Sequence, residues 1–184
     1  QEIELALIKL YRYTKDEQYL DLARYFIEER GRNPHYFDIE AQNRGENSKE
    51  YWAKTHTYTQ SHIPLRRQKE VVGHAVRAMY FYSAAADLAS EMGDVDLSNT
   101  LKKLWDNLVS RKMYITGGIG SSSANEGFTL PYDLPNQTAY AETCASIGLI
   151  FFAHRMLQND LDGQFGDVME RVLYNSMLSG VSLD

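Results

Sequence analysis

The sequence predicts an all-α fold, about half of an (α/α)6 toroid built from helical hairpins. Apolar residues recur at helical spacing along most of the 184-residue chain. Helical stretches come in pairs joined across charged or Gly-Asp breaks, at Asp16, Gly93-Asp94 and Asn159-Asp160. The breaks recur every ~65–80 residues, and long polar loops separate the pairs, as in structural repeats that stack into a solenoid or close into a toroid. Short turns on one side and chemically rich loops on the other favour the toroid, with its site at the long-loop end.

The first helix carries Ile3, Leu7, Leu10 and Tyr11 as one apolar stripe. Thr14-Lys15-Asp16 breaks it, and Asp16 serves as N-cap of a second helix bearing Tyr19, Leu20, Ala23, Phe26 and Ile27. Gly31 stops that helix as a C′ glycine. Residues 32–65 lack a sustained period and read as a long loop with short helical turns, a class usually functional or mobile. A long helix is expected from about Arg66 to Met92, apolar nearly all round at Ala75–Ala86 and so buried on more than one face. Gly93-Asp94 ends it, and Leu97–Arg111 forms the next, with Leu101, Leu104, Trp105 and Leu108 inward. A strand-like Met113-Tyr114-Ile115-Thr116 leads into a Gly/Ser-rich loop reaching Asn136, and helices over Cys144–Leu157 and Gln164–Leu178 complete three hairpins.

Composition narrows the function. Nineteen Lys and Arg against twenty-five Asp and Glu give a net charge of −6 without a basic stripe, which argues against nucleic acid and anionic membrane as partners. Apolar runs stay short of the ~18 residues a bilayer span needs. A single cysteine excludes an intrachain disulfide and points to a reducing compartment, the cytoplasm. Thirteen tyrosines suit a site for sugars or other polar rings. The chain opens without Met, inside the amphipathic run Gln1–Ile8, and stops as abruptly at Asp184. It therefore reads as an internal piece of a larger protein. Uncovered helix faces leave room for self-association, including a homodimer.

The chemistry concentrates late in the chain. Gly117-Gly118-x-Gly120 permits tight turns and close backbone approach, yet no framing strand and helix make it a nucleotide fingerprint. Glu126, beside Phe128, is either an exposed loop glutamate or a carboxyl whose pKa an aromatic wall raises toward that of a general acid. Glu142-x-Cys144 pairs a hard carboxylate with a soft thiol. On a regular helix the two diverge, leaving a helix-start glutamate and a small buried cysteine; in a turning segment they share a side and could hold one zinc ion. His74 is a core histidine of the long helix or, between small Gly73 and Ala75, a ligand-facing one. His56 and His62 fit no metal template.

Taken together, Tyr114–Ser121, Leu134-Pro135-Asn136, Ala139-Tyr140-Ala141-Glu142-Thr143-Cys144-Ala145, Val72–Ala78 and Glu170–Asn175 resemble glycoside hydrolase family 127, the β-L-arabinofuranosidases. The resemblance runs from about Gln60 to the last residue. It implies an α/α toroid followed in the whole protein by β-sandwich domains, and a retaining glycosidase with a zinc-bound cysteine thiolate as nucleophile. By motif position, Glu126 is expected to be the acid/base, Glu142 and Cys144 two zinc ligands, and His74 a substrate-binding residue. The substrate would be a small oligosaccharide or glycoside carrying a β-L-arabinofuranosyl group, as in plant glycans. The other zinc ligands, the nucleophile among them, come in the family from a Cys-Cys pair further along, which these residues do not include. The competing reading is an α-helical repeat scaffold that binds a partner protein; convergence of Glu126, Glu142, Cys144 and His74 on one site would separate the two.

Overall fold

The computed structural model describes residues 1–47 and 55–182. Residues 48–54, 183 and 184 fall outside them, and with them part of the expected 32–65 loop. Seven α-helices are described: α1 (Ile3–Thr14), α2 (Glu17–Glu29), α3 (Tyr36–Asn43), α4 (Ala75–Met92), α5 (Val95–Arg111), α6 (Thr143–Asn159) and α7 (Gly163–Arg171). Three hairpins result, α1–α2, α4–α5 and α6–α7, with α4 packed against both α1 and α6. Among the described residues β-pairing is limited to isolated bridges, His74 with Gly127, Met113 with Ile119 and Ser122 with Gly127. Met113–Thr116 is thus not a strand. The chain is all-α, as its periodicity predicts.

Local chemistry sets the helix ends. Asp16 accepts the Gln18 amide and caps α2, and Gly31, one residue past the C-cap, has φ +81°. A Cβ there would lie 2.3 Å from the Ile63 carbonyl, so this corner admits only glycine. The α1 stripe is turned from the expected one: Ile3 and Leu10 are exposed, while Leu5, Leu7 and Ile8 are buried. The cause is Glu4, fully buried against the Arg30 guanidinium at 2.7 Å. Facing that carboxylate inward for its partner rotates the helix.

Helix α4 starts nine residues later than its apolar pattern suggests. Leu65–Arg67 form a 3-10 turn, and the backbone after it is held by side chains instead of by helical bonds. Asn107 Oδ1 accepts the Val71 N–H at 2.9 Å, and Gly73 takes φ +75°, outside the helical region. His74 is consequently the N-cap of α4, its Nδ1 accepting the Arg77 N–H. From Ala75 to Ala89 the helix is buried on several faces, and the lack of a side chain at Gly148 brings α6 close, since a Cβ there would meet Met79 Cβ at 2.8 Å.

Buried charge ties the hairpins together. Asp87 of α4 lies 2.8 Å from Arg155 of α6 and 3.0 Å from Arg12 of α1. Arg66 joins Glu28 of α2 at 2.5 Å to Asp94, the α5 N-cap, at 2.6 Å. Trp105 packs on Phe152 and Phe165 and donates its indole N–H to Gln164. Beyond α7 the chain makes a π-helical turn, Val172–Met177, then a 3-10 turn, Leu178–Gly180, where one regular helix to Leu178 is expected.

Asp94 yields a pH-dependent prediction. Its carboxylate accepts the Leu97 N–H at 2.9 Å, and Arg66 holds its pKa below the ordinary carboxylate value. The depressed folded pKa means the contribution is full above the unfolded pKa, about 3.9, and disappears as pH falls through the folded value. Asp94→Ala should cost about 1 kcal/mol at pH 7 through the lost cap. Its melting temperature should draw toward that of the unaltered protein as the pH is lowered below the ordinary carboxylate value of about 3.9. A deficit that persists undiminished at pH 3 would refute this.

Candidate active site

The site forms where the α4 N-terminus meets the glycine-rich loop. Gly73 lets the chain turn into α4 against Thr57, whose carbonyl oxygen would sit 1.9 Å from any Cβ at that position. Gln60, fully buried, donates its amide to the carbonyls of Val72 (2.9 Å) and His74 (3.2 Å). Because His74 Nδ1 accepts the Arg77 amide at 3.3 Å, its proton lies on Nε2. That Nε2–H donates to Glu126 Oε2 at 3.0 Å, and the ring packs edge-on against Tyr58.

Glu126 stands on a tight turn closed by reciprocal hydrogen bonds between Ser122 and Gly127, both 3.1 Å. Its φ is +48°, costly for a residue with a side chain. The turn docks on α4: the Ala75 N–H donates to the Glu126 carbonyl at 3.0 Å and the Phe128 N–H to that of Gly73 at 2.9 Å. Phe128 turns into the core while the Glu126 side chain remains 44% exposed. The aromatic wall expected from their spacing therefore does not form. The aromatic residue that touches Glu126 is Tyr140, whose O–H donates to Oε1 at 3.4 Å.

Residues 140–141 pair with the glycine loop, the Tyr140 N–H donating to the Ser121 carbonyl (3.3 Å) and the Ala141 N–H to that of Gly120 (2.8 Å). Ala141 takes φ +40° and turns the chain into α6. Glu142, with ψ 143°, is the N-cap, and Cys144 lies in the first turn of α6, so the chain bends at Glu142 just before the helix that carries the cysteine. The two side chains are close neighbours, near enough for the Glu142 carboxylate to bear on the Cys144 thiol. Cys144 is exposed and unpaired, not the small buried cysteine of the competing reading. Partial desolvation, then the Glu142 carboxylate, push its thiol pKa up, against the opposing backbone N–H groups of Ala145 and Cys144.

Glu142 Oε2 is buried and lacks a hydrogen-bond partner. An orphaned carboxylate oxygen beside a thiol is a donor pair that fits zinc. The pair supplies two of the four ligands that such a site requires. Glu142 is also near enough to Tyr140 to help raise the pKa of its phenol, after partial desolvation. Glu126 and His74 thus meet at 3.0 Å, Glu142 and Cys144 are neighbours, and Tyr140 stands near both glutamates.

The glycines serve packing, not phosphate. A Cβ at Gly117 would lie 2.8 Å from Val172 Cγ2, and one at Gly180 2.1 Å from Thr143 Oγ1. Together with the Ser146–Ser176 hydroxyl contact at 3.1 Å, they seat the π-turn beneath the start of α6. Bulges of this kind often accompany functional sites.

A second cluster went unread in the sequence. His56 stacks on His35, ring centroids 3.6 Å apart, and lies 3.4 Å from Asp38. Only the His35-x-x-Asp38 spacing at the α3 start hinted at it. Both His35 nitrogens are engaged, one with the Ser61 carbonyl and the other with the Phe37 N–H, which leaves no lone pair for a metal. Burial lowers the His35 pKa, with His56 adding to the effect.

An all-α array of hairpins presenting two glutamates and a thiol at its loop-rich end defines a class, the helical domains of glycoside hydrolases. The chain belongs to the β-L-arabinofuranosidase GH127 catalytic domain family, whose profile matches residues 1–184. It is 42% identical over 185 residues to the non-reducing end β-L-arabinofuranosidase of Bifidobacterium longum subsp. longum, covering 100% of this chain and 28% of that protein. The crystal structure of a GH127 β-L-arabinofuranosidase from Geobacillus stearothermophilus T6 superposes with a TM-score of 0.96 at 55% identity, over 100% of this chain and 29% of that one. A GH127 β-arabinofuranosidase gives 0.85 at 45% identity, over 100% and 26%. The chain thus spans less than a third of the relatives it matches. No described helix is long and apolar enough to cross a membrane.

Proposed function

We propose that these residues form part of the toroidal catalytic domain of a retaining glycosidase that removes β-L-arabinofuranosyl groups from glycans. The reading is supported above all by the placement of Glu126 and Glu142 around one phenol oxygen, with His74 3.0 Å from the first and Cys144 beside the second. Glu126, reachable from solvent on a rigid turn, acts as acid/base: it protonates the departing glycosidic oxygen and then takes a proton from the attacking water. His74 Nε2–H orients that carboxylate and offers a donor to the sugar once substrate enters. Glu142 Oε2 and Cys144 Sγ hold zinc together with ligands from the rest of the enzyme. Bound zinc keeps a coordinated thiolate deprotonated and nucleophilic. A single unpaired cysteine suits a reducing compartment such as the cytoplasm.

Two measurements test the proposal. The complete enzyme should hydrolyse 4-nitrophenyl β-L-arabinofuranoside and contain one zinc per site by elemental analysis; a folded, zinc-loaded enzyme inert toward it would overturn the substrate assignment. The isolated 184 residues, having two of four zinc ligands, should bind the ion orders of magnitude more weakly in calorimetry, since each missing ligand removes several kcal/mol. They should show no turnover. Stoichiometric tight binding with full turnover would contradict the ligand assignment.

A further inference from the structure

We propose that Tyr140 is the positioning residue of the acid/base, its phenol fixing Glu126 against the zinc-ligand side of the site. This inference rests on the reading of Glu126 as acid/base given above. The geometry is specific. Glu126 has two carboxylate oxygens, and each has one donor: His74 Nε2–H on Oε2 at 3.0 Å and the Tyr140 O–H on Oε1 at 3.4 Å. The His74 donor alone leaves the carboxylate free to swing about that bond. A second donor on the other oxygen locks the plane of the group, which proton transfer to a glycosidic oxygen requires.

Nothing in the packing requires this tyrosine to be there. Tyr140 is 36% exposed and lies outside the core, so burial does not account for its place. Its backbone is placed with care nonetheless, held on Ser121 by its own N–H and followed by Ala141 at φ +40°. A non-glycine residue kept in that region is maintained at a cost the surrounding structure must offset. The turn aims one residue, Tyr140, at Glu126 and the next but one, Glu142, at Cys144.

The phenol has one proton, and its hydrogen bond gives that proton to Glu126, while the Glu142 carboxylate lies near it on the other side of the turn. Tyr140 transfers no proton itself and touches no reacting bond.

The test is Tyr140→Phe in the complete enzyme, which keeps the ring and removes the hydroxyl. Two substrates separate the roles: an alkyl β-L-arabinofuranoside, whose departure needs a proton, and a 2,4-dinitrophenyl one, whose departure does not. For the alkyl substrate kcat/KM should fall about tenfold, the value of one hydrogen bond to a charged group. For the dinitrophenyl substrate it should fall less than about twofold by the same reasoning, with zinc content and melting temperature unchanged. In a Glu126→Ala background, Tyr140→Phe should have no further effect on either substrate. Equal losses on both substrates, an undiminished loss in the Glu126→Ala background, or loss of zinc would overturn the inference and assign Tyr140 to the fold or to Glu142. An enzyme that is folded and zinc-loaded yet inert toward all arabinofuranosides would remove the reading it rests on, and the inference with it.

Discussion

Replacing Glu126 by Gln in the complete enzyme should reduce kcat/KM on an alkyl β-L-arabinofuranoside by about 10²–10⁴-fold, the usual contribution of a positioned acid or base. The amide keeps the size of the side chain and can still accept the His74 Nε2–H, which lies 3.0 Å from Oε2. Binding and folding should therefore be nearly unchanged, and the loss should fall on kcat. On a dinitrophenyl substrate the departure step needs no proton, so the first half of the reaction should be largely spared. The second half still lacks a base for water, and a burst of dinitrophenol followed by slow turnover is the expected trace. External azide, a nucleophile that needs no deprotonation, should restore turnover. Glu126→Gln with kcat/KM within about threefold of the unaltered enzyme on the alkyl substrate would remove Glu126 from the acid/base role.

Much of the architecture was legible because it rests on burial. Where a helix faces the core with an uninterrupted stripe, as α2 does with Leu20, Ala23 and Ile27, periodicity alone places it, and Asp16 and Gly31 mark its ends. The sequence misled where a polar contact outweighed the stripe. The demand of buried Glu4 for Arg30 turned α1, and an amide acceptor from Asn107 released Val71 from the helix its apolarity suggests. Both contacts join residues far apart in sequence, so no local window contains them. The π-turn at Val172–Met177 escaped for a similar reason: it answers the close approach of Gly117 to Val172.

The candidate site was legible in its residue types and motif, not in its wiring. The spacing Glu142-x-Cys144 left two readings open, and the structure takes something from each: Glu142 is the helix-start residue, with ψ 143° at the N-cap, while Cys144 in the first turn of the helix is exposed instead of buried. Glu126 was paired in the sequence with its neighbour Phe128, whereas the turn sends Phe128 into the core and brings in Tyr140, fourteen residues away. Backbone conformations outside the usual regions, at Glu126 and Ala141, produce that difference. Those are states that residue identity does not announce when the residue is not glycine.

Gly127→Ala should be severely damaging for a single methyl addition. At this position glycine is required by space and not by conformation. A Cβ there would fall 1.9 Å from the Gly73 carbonyl oxygen, 2.6 Å from its carbon and 2.9 Å from His74 Cα. All three are backbone atoms, so no side-chain rotation relieves the contact. The methyl must push the turn bearing Glu126 off the start of α4. That breaks the Phe128 N–H bond to Gly73 at 2.9 Å and the Ala75 N–H bond to Glu126 at 3.0 Å. Overpacking in cores commonly costs about 1–3 kcal/mol; with immovable backbone and two lost hydrogen bonds besides, about 3–5 kcal/mol is expected here. Activity should fall further than stability implies, since the displacement carries Glu126 away from His74, and misplacement by about 1 Å can cost on the order of a hundredfold in rate. Gly166→Ala is the matched control: it lies within α7 with open space around the added Cβ, and should stabilise by about 0.5–1 kcal/mol, as alanine does over glycine in a helix. Denaturant unfolding and kcat/KM of both variants in the complete enzyme decide the matter. Equal stability and activity for the two would mean that the contact between Gly73 and Gly127 does not set the position of Glu126.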